Sequence, residues 1–274
     1  MPRPQVILVQ NSPGSGPGRF PDWLSADGLD AHVVPGADLP EHLAGWPAPA
    51  TGPVAGLVLL GGGLLPDDDE RAPFLARERR IVVEALDAGV PVLGICLGGQ
   101  LLAHVTGGEV TATSGETEKG VCPVRLLPDA SHDALLGALG ALGEPGQDGV
   151  LRMVESHVDS ITGLPPSAVH LATSDACRVQ AFRVGQVAWG LQFHPEAAPE
   201  RIGTWDVDEL AGLGYDRDEL LAAALELAPV NERQSRALAR AFAAVVHERC
   251  ERADGQVGAA EGGQTPAHSG GGGC

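Results

Sequence analysis

Apolar runs and helix-spaced runs alternate along the first hundred residues. "QVILVQN" (5–11) and "AGLVLLGGG" (55–63) are short, aliphatic and without polar alternation, and the second is stopped by glycines. Runs of this kind read as strands buried on both faces. "FLARERRIVVEALDAG" (74–89) sets Leu75, Ile81, Val82, Ala85 and Leu86 near helical spacing, with Gly89 in a C-cap position. "VPVLGI" (90–95) follows as a buried strand, and "LGGQLLAHVTGG" (97–108) as a short helix ending at Gly107-Gly108. The alternation predicts an α/β fold in three layers, a mostly parallel central sheet with helices on both faces.

The rhythm changes near residue 109. "EVTATSGETEKGVCPVRLL", "VLRMVESHV", "AVHLATSD", "CRVQAFRVG" and "QVAWGLQFH" are strand-like pieces separated by turns, and they predict an antiparallel excursion from the sheet. After "HPE" the pattern predicts helices around 198–212, 216–227 and 231–250. The Pro-rich stretch 35–53 reads as a surface excursion. One domain is expected over 1–253, followed by a disordered Gly-rich tail over 254–274, where periodicity is lost.

Charge narrows the function classes. The 274 residues carry 18 Lys and Arg against 36 Asp and Glu, a formal charge of −18. Such a balance argues against nucleic acid or an anionic membrane as a partner. The apolar run at the N-terminus is too short for a signal peptide, and no stretch approaches the roughly 18 apolar residues of a membrane span. A cytoplasmic protein is expected. The five cysteines, Cys96, Cys122, Cys177, Cys250 and Cys274, are widely spaced with no C-x-x-C pair, which speaks against a zinc ribbon or a thioredoxin-like motif.

One cysteine stands in a chemical context. Gly94-Ile95-Cys96-Leu97-Gly98 lies where a strand turns into a helix, and a sharp turn there with small residues on both sides is the logic of a nucleophile elbow. Cys96 would sit at a helix N-terminus, which favours thiolate. The backbone N–H of Leu97 would face a developing oxyanion. From this stretch alone a nucleophile and a buried core thiol are both open. A base is offered by His194-Pro195-Glu196: residues i and i+2 of an extended segment share a side, so an imidazole and an orienting carboxylate can pair. A strand end with an incidental polar pair is the alternative for that segment.

Taken together, "LVLLGGG" (57–63), "GVPVLGICLGGQLLA" (89–103), "EKG" (118–120) and "GLQFHPE" (190–196) resemble the class I, triad-type glutamine amidotransferases, over roughly residues 5–245. The likeness is greatest to the amidotransferase domain of GMP synthetase and its stand-alone relatives, and it implies a flavodoxin-like sheet. It implies Cys96 as nucleophile, His194 as base and Glu196 as the acid that orients it. Gly62 or Gly63, with Leu97, would form the oxyanion hole. Gln100 would help seat the substrate. Ser156, His157 and Asp159 match a Ser-His-x-Asp stretch bordering the site, with His157 as support for the pocket or for a partner-facing surface rather than a second base. No metal or organic cofactor is implied.

The chain departs from the family at Gly99, often His, at Val158, usually Gly, and over 64–73. The run Asp67 to Glu70 reads as a solvated helix entry. The implied reaction is hydrolysis of the L-glutamine side-chain amide through a Cys thioester, with ammonia released to a separate synthetase or acceptor protein, since no synthetase domain or phosphate loop is recognised in the chain. A γ-glutamyl peptidase with the same triad is the alternative. A non-catalytic binding or regulatory relative is a third reading, against which the three intact residues count.

Overall fold

The structure is a computed structural model that describes residues 3–46 and 53–261. Eleven strands are found among the described residues: β1 (Gln5–Gln10), β2 (Asp30–Pro35), β3 (Val54–Leu59), β4 (Val92–Ile95), β5 (Glu109–Thr111), β6 (Glu118–Leu126), β7 (Val150–His157), β8 (Ser160–Gly163), β9 (Val169–Thr173), β10 (Ala181–Val184) and β11 (Ala188–Leu191). Nine form one sheet in the order β2-β1-β3-β4-β11-β10-β9-β6-β7. From β2 to β11 every pairing is parallel. From β11 to β7 every pairing is antiparallel, the excursion expected from the second half of the chain. β5 and β8 pair separately.

The parallel strands are covered on both sides because their alternate residues divide between two cores. Val6, Leu8, Val58 and Leu93 pack with α1 (Phe20–Ala26) and α5 (Arg217–Glu261) through Phe20, Leu24, Leu238, Phe242 and Val246. Ile7, Val9, Leu57, Leu59 and Val92 pack with α2 (Leu75–Ala88) and α3 (Leu97–Val105) through Ile81, Val82, Ala85, Leu97 and Leu101. Gly89 ends α2 in the left-handed conformation, as its position predicts.

Three features differ from the pattern-based expectation. β2 and α1 fill the stretch between the first two expected strands. α1 shows a weak signal because only Phe20 and Leu24 of its seven residues are buried. Second, the segment after "HPE" is a 3-10 turn over Pro199–Thr204, then α4 (Val207–Gly212), then α5 without interruption at Pro229. Pro229 is exposed, and the carbonyl that loses its helical donor belongs to Leu225, itself exposed, so water can take the place of the missing N–H. Third, α5 runs to Glu261, so residues 254–261 are helical rather than irregular. Ala259, Ala260 and Glu261 are good helix formers, and they extend a helix already nucleated on the core. Residues 262–274, including Cys274, lie outside the described residues. No helix among the described residues is long and apolar enough to cross a membrane.

Candidate active site

The elbow forms at the carboxyl end of β4. Cys96 has φ 51°, ψ −109°, the left-handed side of backbone space that a residue with a Cβ rarely takes. The conformation is fixed from both sides: Cys96 N–H donates to Leu191 O at 2.8 Å, and Gln100 N–H donates to Cys96 O at 2.9 Å. Neighbouring side chains have no room. A Cβ on Gly94 would run into the Gly98 carbonyl, and one on Gly98 into the Leu59 carbonyl. At Gly99 a Cβ would lie 2.5 Å from Leu191 O, so the backbone there lies directly against β11 and the elbow is tightly backed at this departure from the family pattern.

β11 is the parallel neighbour of β4, so the chain leaving β11 passes beside the cysteine. His194 is tied down by its own backbone N–H, which donates to Val154 O on β7 at 2.8 Å. Its Nδ1 lies 2.8 Å from Glu196 Oε1. Both side chains are buried. The other ring nitrogen, Nε2, has no regular hydrogen-bond partner. Burial alone would lower the His194 pKa; the Glu196 carboxylate and the Cys96 sulfur outweigh it and hold the imidazole well above its ordinary value. Cys96, His194 and Glu196, 98 and 2 residues apart in the chain, thus form one buried constellation.

The expected surrounding residues are there as well. Gly62, Gly63, Gln100, Ser156, His157 and Asp159 line a cavity of about 300 Å³ together with Cys96 and His194. Leu97 opens α3, and its side chain lies against Gly62. Gly61, not singled out from the sequence, lies nearest the pair: a Cβ there would sit 3.0 Å from His194 Cε1 and 3.5 Å from Cys96 Cβ. Gln100 Nε2 donates to Asp159 O at 3.1 Å and joins helix α3 to the Ser-His-Val-Asp turn. Asp159 Oδ1 accepts from Thr113 N–H at 2.8 Å, which ties the turn with Val158 to the segment after β5.

His157 is buried. Its Nε2 lies 3.5 Å from a carboxylate oxygen of Glu118 and 3.5 Å from one of Glu155. Burial, and then the neighbouring Glu118, push the Glu155 pKa well up. A carboxylate oxygen of Glu118, a ring nitrogen of His157 and Cys177 Sγ lie within 4.8 Å of one another, the one set of side chains among the described residues spaced to share a cation. Glu118 Oε2 is, however, already bonded by Ser174 Oγ at 2.9 Å and Gln180 Nε2 at 2.5 Å. The acidic run at 67–70 pairs with arginines: Asp68 with Arg71, and Asp69 with Arg79 through two contacts. Burial raises the thiol pKa of both Cys122 and Cys177, the behaviour of inert core cysteines.

Sequence reasoning missed the residues that hold the constellation from outside. Arg19 Nη2 donates to Ala197 O at 2.8 Å, to Pro195 O at 3.3 Å and to Asn231 Oδ1 at 2.9 Å. Arg19 N–H donates to Glu196 O at 2.9 Å, and the guanidinium lies 4.6 Å from the centre of the Trp23 ring. The residue therefore clamps the His-Pro-Glu segment. On the other side Asn11 Nδ2 donates to Leu60 O at 3.0 Å and to Glu78 Oε1 at 3.2 Å, bracing the start of the glycine loop on a fully buried acid. Arg201, Trp205 and Glu209, from the turn and helix after the triad, complete the cavity wall. These residues lie far from the motifs in sequence, and only proximity to "HPE" hinted at the last three.

Known proteins resemble the chain in sequence and in fold. Residues 28–205 match the family model described as glutamine amidotransferase class-I. A GMP synthase [glutamine-hydrolyzing] subunit from Methanopyrus kandleri is 32% identical over 170 residues, covering 62% of this chain and 77% of that protein. The GMP synthase [glutamine-hydrolyzing] of Alkalilimnicola ehrlichii is 36% identical over 183 residues, 62% of this chain, and the chain spans 32% of that longer protein. Among solved structures, a glutamine amidotransferase from Thermotoga maritima superposes with a TM-score of 0.72 at 26% identity, covering 88% of this chain and 98% of that one. On the matched family model, the relatives and the shared fold, the chain belongs to the class I glutamine amidotransferase family.

Proposed function

We propose that the chain hydrolyses the side-chain amide of L-glutamine on Cys96 and delivers the ammonia to an acceptor on a separate protein. The observation that carries this reading is the strained Cys96 beside an imidazole that Glu196 orients and keeps protonated. The Cys96 sulfur attacks the amide carbonyl carbon, and the carbonyl electrons move to oxygen. Leu97 N–H and an N–H of Gly62 or Gly63 hold that oxyanion. As the tetrahedral species collapses, the C–N bond breaks and His194 gives its proton to the departing ammonia, leaving a γ-glutamyl thioester. His194 then takes a proton from water as the water attacks the thioester, and glutamate leaves with the sulfur restored. The covalent route divides one difficult step into two easier ones.

Two relatives support an external acceptor: the Methanopyrus kandleri protein is by name one subunit of a GMP synthase, and the Alkalilimnicola ehrlichii protein is a longer single chain. A cytoplasmic setting, where thiols stay reduced, suits a free cysteine nucleophile. The test is to incubate the purified chain with glutamine and measure glutamate, with Cys96→Ala as control; equal glutamate from both proteins refutes the assignment. A γ-glutamyl peptidase with the same three residues is separated from this reading by its choice of substrate. A preference of about tenfold or more in kcat/KM for a γ-glutamyl dipeptide over glutamine, about 1.4 kcal/mol, would establish the peptidase reading instead.

A further inference from the structure

Of the 18 Lys and Arg residues, Lys119 is the single lysine. It is not on the surface, where a lysine is ordinarily found. Its side chain is 7% exposed and lines the same cavity as Cys96, His194 and Gln100. Lys119 comes from β6, beside Ser156 of β7. Its Nζ lies 3.3 Å from Ser156 Oγ, 3.4 Å from Glu209 Oε1 and 5.9 Å from the centre of the Trp205 ring. These contacts fix the end of a flexible side chain over the cavity. Both hydrogen bonds are longer than the 2.7–2.9 Å usual for a charge-assisted bond, and an ammonium has three donors. A compact point charge of this kind suits one carboxylate oxygen, whereas the broad guanidinium fork needs more space. Arg201, the arginine of the cavity wall, donates from Nη2 to the Gly14 carbonyl.

We infer that Lys119 is the specificity-determining cation that binds the α-carboxylate of the acyl donor while its γ-carbonyl is presented to Cys96. The inference rests on the glutamine reading and sharpens it. The substrate class is a γ-amide with a free α-carboxylate, so that an amide or ester at the α-carbon is rejected whatever the γ-leaving group. Ser156, Trp205 and Glu209 act through Lys119 as positioning residues. Cys96 and Lys119 line one cavity of about 300 Å³, near the small end of ligand pockets, a size that suits a ligand of one amino acid.

The test uses the whole chain and two affinity labels, the chloromethyl ketone analogue of glutamine and its α-carboxamide, with mass spectrometry reporting alkylation of Cys96. Iodoacetamide serves as a neutral control for thiol reactivity. Loss of a hydrogen bond to a charged partner corresponds to roughly ten- to hundredfold. The wild-type protein is therefore expected to react at least tenfold faster with the acid than with the α-carboxamide. Lys119→Met should bring the two rates together without altering the iodoacetamide rate. With glutamine as substrate, its KM should rise tenfold or more while kcat falls far less. A preference for the acid that survives in Lys119→Met overturns the inference. So does a wild-type protein that does not distinguish the two labels, a result that stands even where the variant fails to fold. Reaction of Cys96 with iodoacetamide but with neither label refutes the glutamine reading itself, and the inference with it.

Discussion

Glu78→Gln should make this protein more stable at pH 8 and not at pH 5. Glu78 sits on the inward face of α2, fully buried, and burial raises its pKa from 4.5 to about 7 in spite of the hydrogen bond from Asn11. A carboxyl whose pKa is raised in the folded state binds a proton there at pH values where the unfolded chain has released it. Stability is therefore full below about pH 4.5, falls between about 4.5 and 7, and stays reduced above. The gap between 4.5 and about 7, at about 1.36 kcal/mol per pH unit, amounts to on the order of 3 kcal/mol at pH 8. Glutamine keeps an oxygen for Asn11 Nδ2 but places an amide N–H2 where Oε2 has no partner, which costs about 1–2 kcal/mol at either pH. The net expectation is a gain of about 1–2 kcal/mol at pH 8, or a Tm higher by roughly 2–8 °C for a chain of this length, and a loss of about 1 kcal/mol at pH 5. Urea unfolding of both proteins at the two pH values measures this directly. A stability difference that is the same at pH 5 and pH 8 would refute the reasoning, since it would mean that the Glu78 proton is not linked to folding.

Three further outcomes are expected. Arg19→Met removes the clamp on Pro195 and Ala197 and the stack on Trp23, and should lower stability by about 2–4 kcal/mol and kcat/KM by tenfold or more; an unchanged kcat/KM would show that the segment holds without it. Glu196→Gln removes the carboxylate that raises the His194 pKa, so the alkaline limb of the kcat/KM profile, assigned by the proposed mechanism to loss of the His194 proton, should move to lower pH; a limb that stays in place disconnects Glu196 from His194. Deleting residues 262–274, a Gly-rich stretch with little apolar surface, should leave Tm and glutamate release unchanged, and a Tm drop of several degrees would show that the tail packs.

What the sequence disclosed follows from how local each determinant is. Gly94, Cys96 and Gly98 are legible because one tight turn imposes all three, and His194 and Glu196 because an extended segment puts them on one side. The parallel strands announce themselves as unbroken apolar runs because both faces are covered. β2 escapes notice as an edge strand with most of its residues partly exposed, and Pro229 suggests a helix break that its exposed position makes unnecessary. Arg19 and Asn11 carry no local sign of their role. Arg19 acts on a carbonyl 178 residues away and Asn11 on an acid 67 residues away, contacts that exist only once the sheet has formed. Lys119 sits in a motif that signals the family, but its burial under Trp205 and Glu209 depends on a segment that follows the triad.

The pairing of β4 with β11 has a consequence for how the activity is born. These strands are neighbours in the sheet, yet nearly the whole antiparallel half of the molecule lies between them in the chain. A ribosome has therefore delivered β1, β3 and β4, with the cysteine at the tip of β4, well before His194 and Glu196 emerge. Closing a loop of this length is among the slower steps of folding. The same β11 carbonyl at Leu191 that receives the Cys96 N–H also backs Gly99, so the strained turn lacks two of its supports until that strand docks. On the proposed mechanism, a nascent or partly unfolded chain thus has a thiol but not a hydrolase, and amide cleavage switches on with the last central strand rather than growing gradually with structure.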